Sequence, residues 1–489
     1  MSSDVTSPRS TLFSAEPECP RRPSALALAI LLLGGFITVF DLFAVNVAIP
    51  SIQSEFSASF AETGFVIAGY ELAFGVLLIA GGRLGDAHGR RRLFMAGMLG
   101  FAVTSVLCGL APEAMTLIIA RLLQGASAAI LFPQVYALLR VMYDDGARGR
   151  AFGLLGMTLG LAAIAGQVFG GFLVASDLFG LGWRTVFLIN LPIGLAAAML
   201  GKAIPESRLS EDAAVDWVGI GLATLGLLLL LVPLLEGPSA GWPLWTWACL
   251  AGAALTLAAF LAWERKLSRC GALPAIDLKL FASHGFSVGA IVVLAIYSTA
   301  TSLFLCFALL VQSGLGLTPF QAGSLFAPAS VGFVAASLMA PKLAARFGDT
   351  AIVSGALIYA AGILCLIVQV GTLASANDTW SLLPALILFG FGQGLSMTPL
   401  LNLVIGFVDE RHAGMAAGII STMQQVGGAF GVAVVGIFYV PLLAAHPVGT
   451  ETDAARHAAA FSGAMFYNFV AALFAAVLML WIAKRARRT

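Results

Sequence analysis

The segment Gly81-Gly82-Arg83-Leu84-Gly85-Asp86-Ala87-His88-Gly89-Arg90-Arg91-Arg92 lies between two apolar runs, residues 63–80 and 93–111. We call it the 81–92 segment. As local structure it predicts a short polar turn that joins two membrane helices. Its small residues allow helix ends to approach closely, and its arginines favour the cytoplasmic side of a membrane.

The composition of the whole chain excludes an ordinary soluble protein. Of 489 residues, 60% are hydrophobic and 10% are charged, whereas soluble domains carry about 25% charged residues. The solvent for most of the surface must therefore be lipid. The formal net charge of +1 gives no reason to expect an acidic partner such as nucleic acid.

Fourteen apolar segments are long enough to cross a bilayer as helices, which takes roughly 20 residues each. They cover residues 25–49, 63–82, 93–111, 114–139, 150–174, 184–203, 215–235, 245–263, 284–311, 321–341, 350–373, 381–407, 413–438 and 460–483. An even number of spans places both termini on one side. With the termini inside, all of the 26 lysines and arginines except Arg121, Arg184 and Arg456 fall in inner segments. This asymmetry predicts cytoplasmic N- and C-termini.

An internal repeat divides the chain into two halves. Residues 340–348 echo residues 81–89, at an offset of roughly 260 residues, and such repeats are common in transporters. We therefore predict two six-helix bundles with two helices inserted between them. The predicted divisions are a disordered cytoplasmic tail (1–23), an N-terminal bundle (24–204), two inserted helices (205–265), a cytoplasmic linker (266–283), a C-terminal bundle (284–484) and a basic tail (485–489).

The first apolar run resembles a signal peptide only superficially. Arg21 and Arg22 precede it, but residues 25–49 exceed the usual signal core of about 7–15 residues and contain Asp41. We predict that this run is a retained first membrane helix.

Several motifs identify a family by resemblance. The 81–92 segment is similar to the major facilitator superfamily loop G-x-L-a-D-r-x-G-r-k. Residues 40–50, residues 182–194 and Asp216-Trp217-x-Gly219 resemble motifs of its fourteen-helix drug:proton antiporters, the QacA and EmrB type. This resemblance implies two six-helix bundles that rock around a central cavity, with export driven by proton entry.

Three residues in the apolar runs are normally charged: Asp41, Glu71 and Arg121. A charge at membrane depth is costly and usually faces a cavity or a partner. Counted from the expected helix ends, all three lie at one level. One arginine can hold one carboxylate ionised, so we predict that one acid pairs with Arg121 and the other carries the proton. A purely structural buried ion network is the alternative.

The resemblance also implies functional positions. It assigns proton coupling to Asp41 and Arg121, the latter in a fourth-helix motif with Gln124. It assigns a cytoplasmic gate to five residues of the 81–92 segment: Gly82, Asp86, Gly89, Arg90 and Arg91. A solvated turn is the alternative for that segment.

The fifth helix carries a glycine motif. Gly166, Gly170 and Gly171 resemble the antiporter motif G-P-x-x-G-G, with Gln167 in place of its proline. Glycines at this spacing allow close helix packing, and ordinary packing would explain them equally well. The missing proline removes a helix kink and adds a polar group.

Polar side chains in the apolar runs are further candidates for lining a central cavity. These are Asn46, Gln124, Gln167, Gln393, Asn402 and Gln424. Simple hydrogen bonds between helices are the alternative for each of them. The cysteines and histidines show no metal-ligand spacing, and the chain has no phosphate-binding loop. We therefore expect no metal, no cofactor and no enzymatic activity, with a proton gradient as the energy source.

These observations together predict a proton-coupled exporter of amphiphilic small molecules, and the two intramembrane acids favour cationic ones. We expect a monomer that crosses a bacterial cytoplasmic membrane many times and is surrounded by lipid. Uptake or facilitated diffusion by the same fold is one alternative. A membrane sensor that has kept the fold and lost transport is the other.

Overall fold

The computed structural model describes residues 24–208, 215–270, 274–372, 376–409, 413–446 and 452–486. The tail predicted at 1–23 and the last residues of the basic tail, 487–489, lie outside the described residues. Within them, fourteen helical spans are long and apolar enough to cross a membrane. The predicted all-α membrane fold is therefore confirmed.

The helices follow one another along the chain with short connections. The N-terminal half contains α1 (Ala25–Phe56), α2 (Phe60–His88), α3 (Arg90–Gly109), α4 (Ala114–Met142), α5 (Asp145–Ala175), α6 (Arg184–Leu188) and α7 (Asn190–Leu200). The inserted helices are α8 (Trp217–Ala240) and α9 (Leu244–Arg269). The C-terminal half contains α10 (His284–Ala308), α11 (Pro319–Phe347), α12 (Asp349–Val370), α13 (Leu383–Ile405), α14 (Ala413–Ala445) and α15 (Asp453–Ala486).

The turn predicted over the 81–92 segment is much shorter than expected. α2 runs through His88 and α3 starts at Arg90, so only Gly89, at φ 103°, separates the two helices. Tertiary packing overrides the weak helix propensity of the glycines in this segment. The backbone of α2 lies directly against α4, where Gln134 Nε2 donates to the Gly81 carbonyl at 2.8 Å.

Two spans differ from regular α-helices. The sixth span is divided at Ile189 into α6 and α7. The ninth span continues beyond Ala308 as a π-helical turn, Leu309–Gly314. Such turns are rare and often occur near functional sites, and the side chain of Gln312 here reaches the opposite half of the molecule to donate to Val47 O at 2.9 Å.

The two halves meet along α1, α2 and α5 on one side and α10, α11 and α14 on the other. The largest hydrophobic core cluster spans both halves, and smaller clusters lie within each half. A β-carbon placed on Gly171 of α5 would lie 3.1 Å from Phe320 Cα of α11, so the halves are tightly packed there. Beyond the local backbone of α5, no described atom lies within 4 Å of such a β-carbon at Gly153 or Gly156. The seam is thus packed at the end away from Gly89, whereas α5 has open space beside Gly153 and Gly156.

The inserted hairpin of α8 and α9 packs beside this seam. α8 contacts both α2 and α14. Leu235 of α8 lies against Gly64 of α2, where an added β-carbon would meet it at 2.8 Å. The hairpin therefore touches both halves of the molecule.

Candidate functional site

An ion pair lies inside the N-terminal half. Arg121 Nη1 of α4 donates to Asp41 Oδ2 of α1 at 2.5 Å, and both side chains are fully buried. Arg121 Nε donates to the Val66 carbonyl at 3.0 Å, and the guanidinium stacks over the Tyr70 ring, 4.2 Å from its centroid. One of the two intramembrane acids thus has the arginine as its partner.

Three further polar side chains surround this pair. Gln124 Nε2 donates to Asp41 Oδ1 at 2.9 Å, and Asn190 Nδ2 donates to the same oxygen at 3.0 Å. Both amides also donate to Ser105 Oγ, at 2.9 and 2.8 Å. An ionised carboxylate is an acceptor only, so three converging donors match an ionised Asp41.

Glu71 lies apart from that cluster and faces the C-terminal half. Its side chain is 2% exposed. Thr301 Oγ1 of α10 donates to Glu71 Oε1 at 2.8 Å, and the backbone of Gly428 on α14 packs against the carboxyl group. Oε2 is buried with no hydrogen-bond partner in the described structure. An ionised carboxylate in such a position is very costly, whereas a protonated one is not.

The depths counted from the sequence need correction, although the three residues are all buried. α1 continues to Phe56 and α2 starts at Phe60, so neither helix ends where the apolar runs suggested. Both helices include polar residues beyond the apolar runs, because a helix can continue into the water outside the membrane. The contact between Asp41 and Arg121, and not the counted depth, establishes that these two lie at one level.

Asn46 and Gln167 lie at the seam between the halves. They line a small cavity together with aromatic side chains of the C-terminal half that include Phe304 and Phe326. Asn46 Nδ2 donates to Leu42 O at 2.8 Å. Asn46 Oδ1 and Gln167 Nε2 are buried with no partner in the described structure, so this cavity holds an unused acceptor and an unused donor.

The remaining predicted cavity residues lie in the C-terminal half and differ in exposure. Gln424 Nε2 on α14 donates to the Tyr297 hydroxyl of α10 at 2.9 Å. Gln393 is buried on α13, which packs between α11 and α12. Asn402, on the same helix, is exposed. The structure therefore does not bring these three amides into one cluster with Asp41.

The predicted gate residues make contacts within the N-terminal half. Arg90 Nη2 bonds Asp86 Oδ1 at 2.8 Å, across Gly89. Arg90 Nη1 also donates to Ser207 Oγ at 3.4 Å. Asp86 and Arg90 thus bind each other, and Arg90 also reaches the segment after α7. Only one residue separates α2 from α3, which holds these two side chains beside each other.

The other two gate positions have different surroundings. Arg91 N donates to Glu206 Oε1 at 3.0 Å. An added β-carbon on Gly82 would be 3.8 Å from Pro133 Cβ, an ordinary contact. Steric need for glycine therefore applies at Gly89, with its positive φ, and not at Gly82.

The helix-5 glycines pack against two different helices. A β-carbon on Gly170 would lie 2.8 Å from Ala44 Cβ of α1, and one on Gly166 would lie 2.8 Å from Phe43 Cβ. Gly171 instead faces α11 across the seam. The motif thus serves packing inside the N-terminal half and also the closed end of the seam.

Comparison with known protein families identifies the family to which this chain belongs. Residues 31–432 match the Major Facilitator Superfamily. This chain belongs to that superfamily. It is therefore a multi-pass transporter-family protein and not an enzyme.

The curated relatives of this superfamily member include several exporters. It is 36% identical over 435 residues to the probable actinorhodin transporter of Streptomyces coelicolor, covering 88% of this chain and 75% of that protein. It is 35% identical to the puromycin resistance protein of Streptomyces alboniger, covering 83% and 80%. It is 33% identical to the drug efflux pump JefA of Mycobacterium tuberculosis, covering 86% and 81%.

Solved superfamily structures share the fold. A bacterial homologue of the human lysosomal transporter Spinster, inward-facing and unoccupied, has a TM-score of 0.67 at 15% identity, covering 94% of this chain and 96% of that one. A D-xylose–proton symporter has a TM-score of 0.65 at 17% identity, covering 93% and 96%. At these identities the likeness concerns the fold alone.

Sequence reasoning missed some residues that contact the buried acids. Ser105 joins the two amides beside Asp41, and Thr301 bonds Glu71. A lone hydroxyl in an apolar run gives little signal, because it can bond its own helix backbone as well as another helix. Only the tertiary structure of this superfamily member places these hydroxyls beside the acids.

Proposed function

We propose that this protein exports amphiphilic, drug-like compounds across a bacterial cytoplasmic membrane in exchange for protons. Its relatives are named for the transport of actinorhodin and resistance to puromycin, which supports a substrate class of bulky antibiotics. Both termini and the 81–92 segment face the cytoplasm in this proposal, because the basic residues lie on that side. The protein acts as a monomer, surrounded by lipid.

The seam between the halves supports alternating access. Its outer end is closed by contacts such as Gly171 with Phe320, while α5 is uncovered around Gly153 and Gly156. A cavity that opens on one side while the other is packed is what a transporter of this fold needs. The structure is therefore the state that faces the cytoplasm in our proposal.

The single observation that carries proton coupling is the environment of Glu71. Its carboxyl group is buried between the halves, bonded to Thr301, and has an oxygen with no partner. We infer that Glu71 is the acid that takes up and releases the proton. Asp41 already binds Arg121 and two amides, so we do not assign the transported proton to it.

This assignment gives each group a separate task. A proton on Glu71 allows α10 and α14 to pack against α2 at low cost, because the buried group is then neutral. Its loss charges the carboxyl and favours a state in which water or a cationic substrate reaches it. Asp41 and Arg121 fix α1 to α4, so the N-terminal half moves as one body.

Transport in proteoliposomes can distinguish a proton-coupled exporter from a carrier that does not use protons. Puromycin is the probe, and a pH dye in the lumen reports proton flux. An imposed pH gradient should drive puromycin against its own gradient, and reversing the pH gradient should reverse the direction. The matched variant Glu71→Gln should still bind puromycin and lose the proton flux.

Other results would contradict the proposal. Puromycin flux that ignores the pH gradient would indicate facilitated diffusion or uptake. Saturable binding with no flux under any gradient would indicate a sensor. Coupled flux that survives Glu71→Gln unchanged would remove Glu71 from the proton pathway.

A further inference from the structure

Two carboxyl groups meet at the base of the inserted hairpin, far along the chain from the acids considered above. Asp216 caps the first turn of α8, and Glu264 lies near the end of α9; they are 9% and 0% exposed. The two carboxyl groups face each other across Gly219, because a β-carbon placed on that glycine would touch an oxygen of each. A β-carbon on Gly219 would come within 2.9 Å of Asp216 Cγ and 2.5 Å of Glu264 Oε1. The glycine of the Asp216-Trp217-x-Gly219 motif therefore leaves room for this pair.

The hydrogen bonds around the pair are unequal. Asp216 Oδ1 accepts from Gly219 N at 2.9 Å and from Trp263 Nε1 at 3.0 Å. Glu264 Oε2 accepts from Ile276 N at 3.0 Å, but Glu264 Oε1 is buried with no partner in the described structure. A proton on Oε1 would convert this orphan into a donor toward Asp216. Without that proton, two buried carboxylates would repel each other.

The pair also lies where three parts of the chain converge. The linker that follows α9 is bonded to Glu264 through Ile276 and to Arg83 of α2 through Pro274 O, which accepts from Arg83 Nη2. Arg83 also interacts electrostatically with both carboxyl groups. On α9, Lys266 lies 5.5 Å from the centroid of the Trp263 ring. Arg83 belongs to the 81–92 segment, so that segment, the hairpin and the linker are joined here.

We propose that Asp216 and Glu264 form a second proton-binding site, in which one shared proton holds the linker to the C-terminal half against α2. Glu264 carries the proton and donates it in a hydrogen bond to Asp216. When the proton leaves to bulk water, the pair becomes doubly ionised and Glu264 moves away, which releases Ile276. The linker then loosens, and the C-terminal half is freer to move relative to α2. This site is separate from Glu71 and does not depend on the proposed transport function.

The first test measures the proton directly. Infrared spectra of the purified full chain in lipid vesicles are recorded over a range of pH, in the region where protonated carboxyl groups absorb. The wild type should show an absorbance that disappears as pH rises, and Glu264→Gln and Asp216→Asn should each remove the same component. Glu71→Gln is the matched control and should leave that component in place. A Glu264→Gln spectrum that equals the wild-type spectrum would refute the shared proton.

The second test measures what the proton does to the linker. Hydrogen exchange of the Ile276 amide, corrected for intrinsic exchange, should accelerate by about tenfold as pH rises through the infrared transition, the factor expected for one lost hydrogen bond. In Glu264→Gln the amide side chain can still accept from Ile276 and donate to Asp216, so exchange should stay slow at every pH. Unchanged protection in the wild type, or an identical pH profile in the variant, would overturn the proposal.

Discussion

Asp41 and Arg121 illustrate how strongly stability can depend on a single charged residue inside the membrane. Neither side chain is exposed, and the pair joins α1 to α4. Removing one partner of a buried pair leaves an uncompensated charge, which costs about 3–5 kcal/mol in proteins. A partly exposed pair, in contrast, contributes about 0–1 kcal/mol.

The first prediction concerns this contrast. Asp41→Asn should lower the free energy of unfolding by roughly 3 kcal/mol or more, because Arg121 loses its counter-charge. Asp453→Asn is the matched control: Asp453 bonds Arg456 at 2.8 Å but is 63% exposed, so its loss should cost less than about 1 kcal/mol. Thermal unfolding in detergent, read by circular dichroism, compares the two. Equal losses would show that the Asp41 pair is not a buried charge in the membrane protein.

The second prediction concerns Glu71 and its hydroxyl partner. Glu71→Gln imitates the protonated acid and should preserve packing against Thr301 and Gly428. We expect puromycin binding to vary less with pH in this variant, while proton-driven export falls by roughly tenfold or more. Thr301→Val keeps the shape of the side chain and removes only the donor, so its effect should be smaller. If Thr301→Val abolishes export and Glu71→Gln does not, the hydroxyl and not the acid is the essential group.

At the scale of elements, α5 carries two different kinds of glycine. Gly171 is pressed against Phe320 of α11, whereas Gly153 has open space in this state. In the proposed transport cycle, the contact at Gly171 separates and the region around Gly153 becomes covered. Under that proposal, substitutions at the two ends of α5 should affect opposite steps of the cycle.

The third prediction concerns one substitution at each of these two ends of α5. Gly171→Val should weaken the closed outer contact and shift the population toward the outward-open state, because the valine cannot fit beside Phe320. Gly153→Val should be tolerated in the present state and oppose closure of the cytoplasmic end. Pulsed electron resonance distances between spin labels on the ends of α5 and α11 measure both populations. Shifts in the same direction for both variants would contradict the proposed closure.

For the whole molecule, the proposed function requires the seam between the halves to open during each cycle. Gly64 of α2 and Val432 of α14 face each other there, and a β-carbon on Gly64 would lie 3.4 Å from Val432 Cγ1. Such proximity is compatible with the short distance that a disulfide bond requires.

The fourth prediction uses this contact as a lock. In the double variant Gly64→Cys, Val432→Cys, oxidation should join the halves and stop puromycin export, and a reductant should restore it. The two single variants control for loss of packing. Export that continues when the disulfide is formed would show that the seam does not need to separate at this position.

The particular residues show which features were predictable. The fourteen spans, the long apolar runs and the 81–92 segment follow from hydropathy and motif, because each needs only local sequence. The length of the turn in that segment could not be predicted in this way, since packing of α2 against α4 keeps its glycines helical. The partners of Glu71 could not be predicted either, because Thr301 and Gly428 are more than two hundred residues away in the chain.

The sequence alone determined that this is a membrane protein, how many helices cross the membrane, and which residues are too costly to bury without a partner. These follow from transfer energies of individual side chains, which need no knowledge of neighbours. Only the tertiary structure decided that Asp41 takes Arg121 while Glu71 is left to the opposite half, and that Asp216 meets Glu264. Which charge meets which depends on how the helices pack, and packing joins residues that hydropathy treats separately.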